Sequence, residues 1–152
     1  MTENKKEPEI YFLRHAQSTF NAGLCDEFDA GLSELGKKQA SNLIGNIDLV
    51  IVSSLKRTFQ TLQESKILYR KLLVSSLCRE NRNVSKCDYL PNEAFIEESS
   101  EQLDARISEF KALLRLLSET YQRILIVSHG GFIGRLVGKN NMGNCEYVQW
   151  KP

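Results

Sequence analysis

The 152-residue chain contains two histidines, and each directly follows a short apolar run. Ile10-Tyr11-Phe12-Leu13 leads into Arg14-His15, and Ile124-Leu125-Ile126-Val127 leads into Ser128-His129-Gly130-Gly131. A third run, Leu49-Val50-Ile51-Val52, leads into Ser53-Ser54-Leu55-Lys56-Arg57. Guanidinium groups are planar forks that match phosphate oxygens two at a time. Imidazole is partly neutral near pH 7 and can act as a nucleophile. Backbone N–H groups where Gly130-Gly131 opens a helix favour an anion. Two arginines and two histidines around an anion suit phosphoryl chemistry better than acyl or hydride transfer.

For these residues to meet, the three runs must be neighbouring strands that end at the same edge of a sheet. Adjacent strands lie about 4.8 Å apart. Ligands of open α/β sheets bind beyond the carboxyl ends of the strands. The intervening sequence supplies elements of the right kind. Residues 14–31 lack a period and read as a loop, after which Ser33 reads as an N-cap. Leu35, Ala40, Leu43 and Ile44 then predict a helix ending about Gly45. A second helix follows Ser54, with Phe59, Leu62 and Ile67 on its inner face, and Leu72-Leu73-Val74 reads as a short third strand. Residues 78–97 are irregular. Ser99 with Gln102 forms a capping box before a stripe of Leu103, Ile107, Phe110, Leu113, Leu114 and Leu117. Cys145 to Trp150 reads as a last strand. Near-continuous apolar strands alternating with helices predict an α/β fold, a three-layer α/β/α sandwich around a mostly parallel central sheet. Residues 1–8 read as a loose leader and 9–152 as a single domain.

Composition removes several classes of function. Hydrophobic residues at 41% and charged residues at 26% match an ordinary globular domain and exclude disorder. The formal net charge is +1 and the charges are spread over both halves, so nucleic acid is not expected as the main partner. No run approaches the roughly 18 apolar residues of a membrane span. The polar start is not a secretory signal. Cys25, Cys78, Cys87 and Cys145 lack metal-site spacing and read as reduced thiols, which places the chain in the cytoplasm.

The motifs themselves resemble a known family. Leu13-Arg14-His15-Ala16-Gln17-Ser18-Thr19-Phe20-Asn21 resembles the Arg-His-Gly motif of the histidine phosphatase superfamily, the phosphoglycerate mutase-like fold. Leu32-Ser33-Glu34-Leu35-Gly36 with Gln39-Ala40 is similar to the helix that follows that motif. Ser53-Ser54-Leu55-Lys56-Arg57-Thr58 with Gln60-Thr61 is similar to the second arginine segment. Arg79-Glu80 sits where the family carries its acid, and Ser128-His129-Gly130-Gly131 is similar to its second histidine motif. The pieces occur in order from Ile10 to Gly131. Ala16 replaces the usual glycine. Asn81-Arg82-Asn83 lacks the substrate-gripping pattern of a glycolytic mutase, and the chain is short for a mutase cap.

The resemblance implies a metal-independent phosphatase that needs no cofactor. His15 would be the nucleophile, forming a phosphohistidine. Arg14, Asn21, Arg57, His129 and Gly130 would bind the phosphate, and Glu80 would be the general acid and base. Glu93, Glu97 and Glu98 are alternatives for that acid. The expected partner is a small phosphorylated substrate or a phosphoprotein, bound by a monomer or a homodimer. Three other readings stay open: a mutase-type phosphotransferase, a protein phosphatase acting on phosphotyrosine or phosphohistidine, and a catalytically idle module that binds a phosphorylated ligand. Arg79, Arg82 and Lys86 are expected on a solvated face, Tyr89 and Trp150 in packing. The acids at 97, 98 and 101 are expected only to favour the helix start.

Overall fold

The computed structural model describes residues 6–152, so the first five residues of the expected leader lie outside the described residues. Five strands, β1 (Glu9–Arg14), β2 (Ile44–Val52), β3 (Lys66–Val74), β4 (Arg123–Ser128) and β5 (Tyr147–Trp150), form one sheet in the order β3-β2-β4-β1-β5. The first four run parallel and β5 joins the edge antiparallel to β1. Helices α3 (Ser100–Leu117) and α4 (Gly130–Val137) pack on one face. There Phe110, Leu114, Phe132 and Ile133 meet Phe12, Ile51, Ile124 and Ile126. On the other face, α2 (Lys56–Glu64) buries Leu62 against Leu13, Val50, Val52, Leu125 and Val127. Helix α1 (Glu34–Ser41) packs beside α2. This is the three-layer α/β/α sandwich. The central strands are apolar throughout because both faces are covered.

Short motifs that satisfy backbone groups locally match their sequence signals. Ser33 caps α1 by accepting from Gly36 N–H, and Ser99 with Gln102 forms the complete capping box of α3. The ends of the shorter elements differ. Helix α1 stops at Ser41 instead of running to Gly45, and Asn42 caps it. Leu43 follows the helix, and Ile44, 78% exposed, opens a nine-residue strand paired with β3. Ile67 likewise lies in β3 and not in α2, and β3 runs from Lys66 rather than Leu72. Leu35 and Phe59 are exposed. The inner side of α1 is made instead by Gly36 and Ala40, because the helix lies directly on the 14–19 loop. A Cβ at Gly36 would sit 2.0 Å from the Gln17 carbonyl oxygen, so only glycine allows that approach.

Candidate active site

Strand register brings the site together. Arg14 pairs with Ser128 across β1 and β4, and Val52 pairs with Val127 across β2 and β4. The residues just past these pairs, His15, Ser53 and His129, therefore emerge at one level. His15 N–H donates to Ser128 O at 3.1 Å, and the two imidazoles stand edge to face with centroids 5.2 Å apart. Both are buried, at 3% and 0% exposure.

The tautomer of His15 follows from its partners. Nδ1 lies 2.6 Å from the Ala16 carbonyl oxygen, which can only accept, so Nδ1 carries the proton. Nε2 is left with the lone pair, and Arg57 Nε donates to it at 3.2 Å. Burial, followed by the charges of Arg57 and Arg14, holds the imidazole well below its ordinary pKa. At neutral pH His15 is a neutral ring with its basic nitrogen facing a guanidinium. Ala16 is itself held, its N–H donating to Thr61 Oγ1, whose hydroxyl donates to Arg57 O. His129 places Nε2 2.7 Å from Ser53 Oγ, while its buried Nδ1 has no partner. Burial and Arg57 also keep it neutral.

Arg57 is more heavily engaged than a free phosphate fork. Nη1 donates to Cys87 O at 2.7 Å and Nη2 to Asp88 Oδ1 at 2.8 Å, within a buried ion pair. Arg14 donates from Nη1 to Met142 O, and its buried Nε is unpartnered. Asn21 is exposed, but its Oδ1 accepts from Ser18 N–H and from Asn144 Nδ2. Asn144 Nδ2 also reaches His15 O, so it ties Asn21 to the His15 backbone. Asn144 stands in the stretch before β5, which lacks a patterned signal, and Asp88 lies in the irregular segment. Neither was legible in the sequence.

Glu80 occupies the anion position at the start of α4. Its Oε2 accepts from Gly131 N–H at 3.1 Å, and Oε1 accepts from Phe132 N–H at 2.9 Å and Asn81 N–H at 2.8 Å. The helix start thus holds a carboxylate of the protein, and a Cβ at Gly131 would come within 2.6 Å of Glu80 Oε1. Burial and the charge of Asp88 raise the Glu80 pKa against the pull of the backbone donors. Of the alternative acids, Glu93 pairs with Arg82 and Glu98 with Arg106, while Glu97 is exposed. Arg106 anchors the segment that carries Glu80. Nη1 donates to Leu77 O and Arg79 O, and Nε and Nη2 grip the Glu98 carboxylate. Glu98 is therefore a structural partner and not merely a favourable charge at a helix start. Arg79 and Arg82 are half-buried and ion-paired rather than on a solvated face. Tyr89 is buried and Trp150 packs on Phe12.

Arg14, Glu80 and Gly130 line an open cleft of about 980 Å³. Among the described residues no group of three or more His, Cys, Asp or Glu is placed to hold a metal, and no helix is long and apolar enough to cross a membrane.

Residues 10–71 match the family model of the histidine phosphatase superfamily (branch 1), a stretch that includes Arg14, His15, Asn21 and Arg57. Solved structures extend the likeness over the rest of the chain. A phosphoglycerate mutase from Bacillus anthracis superposes with a TM-score of 0.72 at 17% identity, covering 95% of this chain and 88% of that one. The chain is histidine phosphatase-like in sequence and in fold. The native mycobacterial glucosyl-3-phosphoglycerate phosphatase is similar to this histidine phosphatase-like chain with a TM-score of 0.65 and 19% identity over 95% of this chain and 90% of that one. The alpha-ribazole phosphatase from Shigella flexneri gives 0.64 and 18% over 93% and 89%. At such identities the structures speak for the phosphoglycerate mutase-like fold alone. No curated protein matches the sequence.

Proposed function

We propose that the protein is a phosphatase that hydrolyses a small phosphomonoester through a phosphohistidine on His15, without a metal ion. The observation that carries this reading is the state of His15: neutral, oriented by Ala16 O, and presenting the Nε2 lone pair to a guanidinium. A phosphoryl group entering at Nε2 takes the place of the Arg57 Nε–H contact. Nε2 attacks phosphorus in line, the P–N bond forms, and the bond to the ester oxygen breaks. The leaving oxygen takes its proton from Glu80, whose pKa burial and Asp88 raise in the direction an acid needs. Water then attacks the phosphohistidine, Glu80 accepts its proton, and phosphate leaves with Nε2 regenerated. Arg14, Arg57 and His129, with Asn21 and Gly130, carry the charge on the phosphoryl oxygens. Arg14 Nε and His129 Nδ1 are buried groups without partners within the protein.

Hydrolysis is preferred over mutase-type transfer because Asn81-Arg82-Asn83 lacks the substrate-gripping pattern of a glycolytic mutase. The four cysteines are free thiols, which suits a reducing compartment, and we place the reaction in the cytoplasm. Phosphate release from p-nitrophenyl phosphate in excess EDTA, wild type beside His15→Ala, tests the scheme. EDTA-resistant release that disappears in the variant supports it. A folded His15→Ala protein that keeps the wild-type rate removes His15 as nucleophile.

A further inference from the structure

The stretch between α4 and β5 runs beside the site and touches it three times. Met142 O accepts from Arg14 Nη1, Cys145 N–H donates to Arg14 O at 3.0 Å, and Asn144 Nδ2 donates to His15 O at 3.2 Å. The stretch is itself closed into a turn. Gly143 N–H donates to Glu146 Oε1, Glu146 N–H donates to Gly143 O, and the Lys139 ammonium pairs with the Glu146 carboxylate. Among the described residues, Asn144 is the side chain of this stretch that hydrogen-bonds to Asn21.

Backbone partners fix which way both amides face. His15 O can only accept, so the Asn144 atom beside it is Nδ2. Ser18 N–H can only donate, so the Asn21 atom 3.1 Å from it is Oδ1. The second hydrogen of Asn144 Nδ2 goes to that same Oδ1 at 3.3 Å. With its oxygen held from two sides, Asn21 keeps Nδ2 as its open end. The orientation matters to an anion, because an amide nitrogen donates to a phosphoryl oxygen whereas an amide oxygen repels it. Asn21 is exposed, so packing does not hold its side chain. Ser18 N–H alone would leave the amide free to pivot about a single hydrogen bond.

We propose that Asn144 is a positioning residue for phosphoryl binding: it keeps the donor end of the Asn21 amide available to the phosphoryl group and fixes that amide relative to the His15 backbone. This rests on the reading above, which makes Asn21 a phosphate-binding residue. His15 O also accepts from Cys145 N–H at 3.3 Å. Removing the Asn144 amide therefore leaves the backbone of the nucleophile bonded and loosens chiefly Asn21.

The experiment measures the Kd of inorganic phosphate by calorimetry, with kcat and KM for p-nitrophenyl phosphate, in wild type, Asn144→Ala, Asn21→Ala and the double variant. Asn144→Ala should raise Kd and KM about ten-fold, near the size of one hydrogen bond to a charged group, while kcat changes less. In the Asn21→Ala background the same substitution should alter Kd by less than about two-fold, because the residue it acts through is gone. Asn144→Ser keeps one donor and should recover part of the affinity; it takes the place of Asn144→Ala in the cycle if that variant does not fold. Full additivity of the two substitutions overturns the proposal, as does a lower melting temperature with Kd and KM unmoved, the mark of a purely structural contact. If wild type binds phosphate but releases none from p-nitrophenyl phosphate, the phosphatase reading fails and the Kd cycle still decides the role of Asn144. If the folded wild type binds no phosphate, both fail.

Discussion

His15 and Glu80 have opposite proton affinities set by their surroundings, and the proposed roles rest on that difference. His15 is stripped of its proton by burial beside two arginines, and Glu80 is encouraged to keep one by burial near Asp88. A base below its ordinary pKa and an acid above it are the pair that phosphoryl transfer to nitrogen needs. Glu80→Gln retains the Oε1 acceptor but removes the transferable proton. Turnover of alkyl phosphates should fall about 100- to 10,000-fold, with a smaller loss for p-nitrophenyl phosphate, whose leaving group needs little protonation. Equal losses on both esters would show that Glu80 does not protonate the leaving oxygen. The position of His15 at a strand end was legible in the sequence because the apolar run before it marks a buried strand. Asp88 was not, because what distinguishes it is the guanidinium that tertiary folding brings to it.

At the level of elements, one pattern recurs: strand ends present the candidate site residues, and a helix on the far side steadies them. Arg106 projects from the buried face of α3 onto three backbone positions of the segment between β3 and Asn81, and Glu98 balances its charge. Its guanidinium also lies over the Phe132 ring, 5.0 Å from the centroid, beside the start of α4. Arg106 thus links the carrier of Glu80 to the helix that Glu80 caps, as a positioning residue remote from the reacting atoms. Arg106→Leu leaves the buried Glu98 with Arg79, at 3.6 Å, as its only cationic partner and should cost up to about 3 kcal/mol of stability. Where the protein still folds, kcat should fall more than KM rises, and the alkaline limb of the pH–rate profile should move with the displaced Glu80. Arg106→Lys should recover part of the stability. Unchanged kcat with lower stability would make Arg106 purely structural. The apolar stripe of α3 is readable from periodicity, but a charged residue within that face has no periodic signal.

Over the whole molecule, the two buried histidines set the response to acid. Each has a folded pKa well below the ordinary value, whereas in the unfolded chain it takes a proton near pH 6.5. As pH falls below about 6.5 the unfolded state binds more protons, so stability falls, by up to about 1.4 kcal/mol per pH unit for each histidine. Glu80 and Asp88 act with the opposite sign. Their folded pKa values are raised, so the native state takes their protons first, and stability lost at neutral pH is regained as pH falls through those values. Urea unfolding across this acid range should show a net decline that becomes shallower in His15→Asn. The same slope in both proteins would mean that native His15 titrates like the unfolded chain.

What the sequence determined by itself was whatever depends on near neighbours. The apolar strands, the capping box at Ser99, the N-cap at Ser33 and the placing of Arg14 at the end of a strand and of His15, Arg57 and His129 after strand ends all follow from local patterning. Misplaced boundaries fall where local and long-range terms compete. Ile44 and Ile67 lie near helical spacing, yet 44–52 and 66–74 pair with each other over their length, and the ladder of hydrogen bonds outweighs a turn of helix. The tertiary structure alone decided which carboxylate caps α4, that Asp88 and Cys87 O hold Arg57, that Arg106 anchors the Glu80 segment, and that Asn81 is left with an open acceptor. Each of these is a contact between residues distant in sequence. Electrostatic and hydrogen-bonding energies depend on separations in space, and only the folded chain sets those.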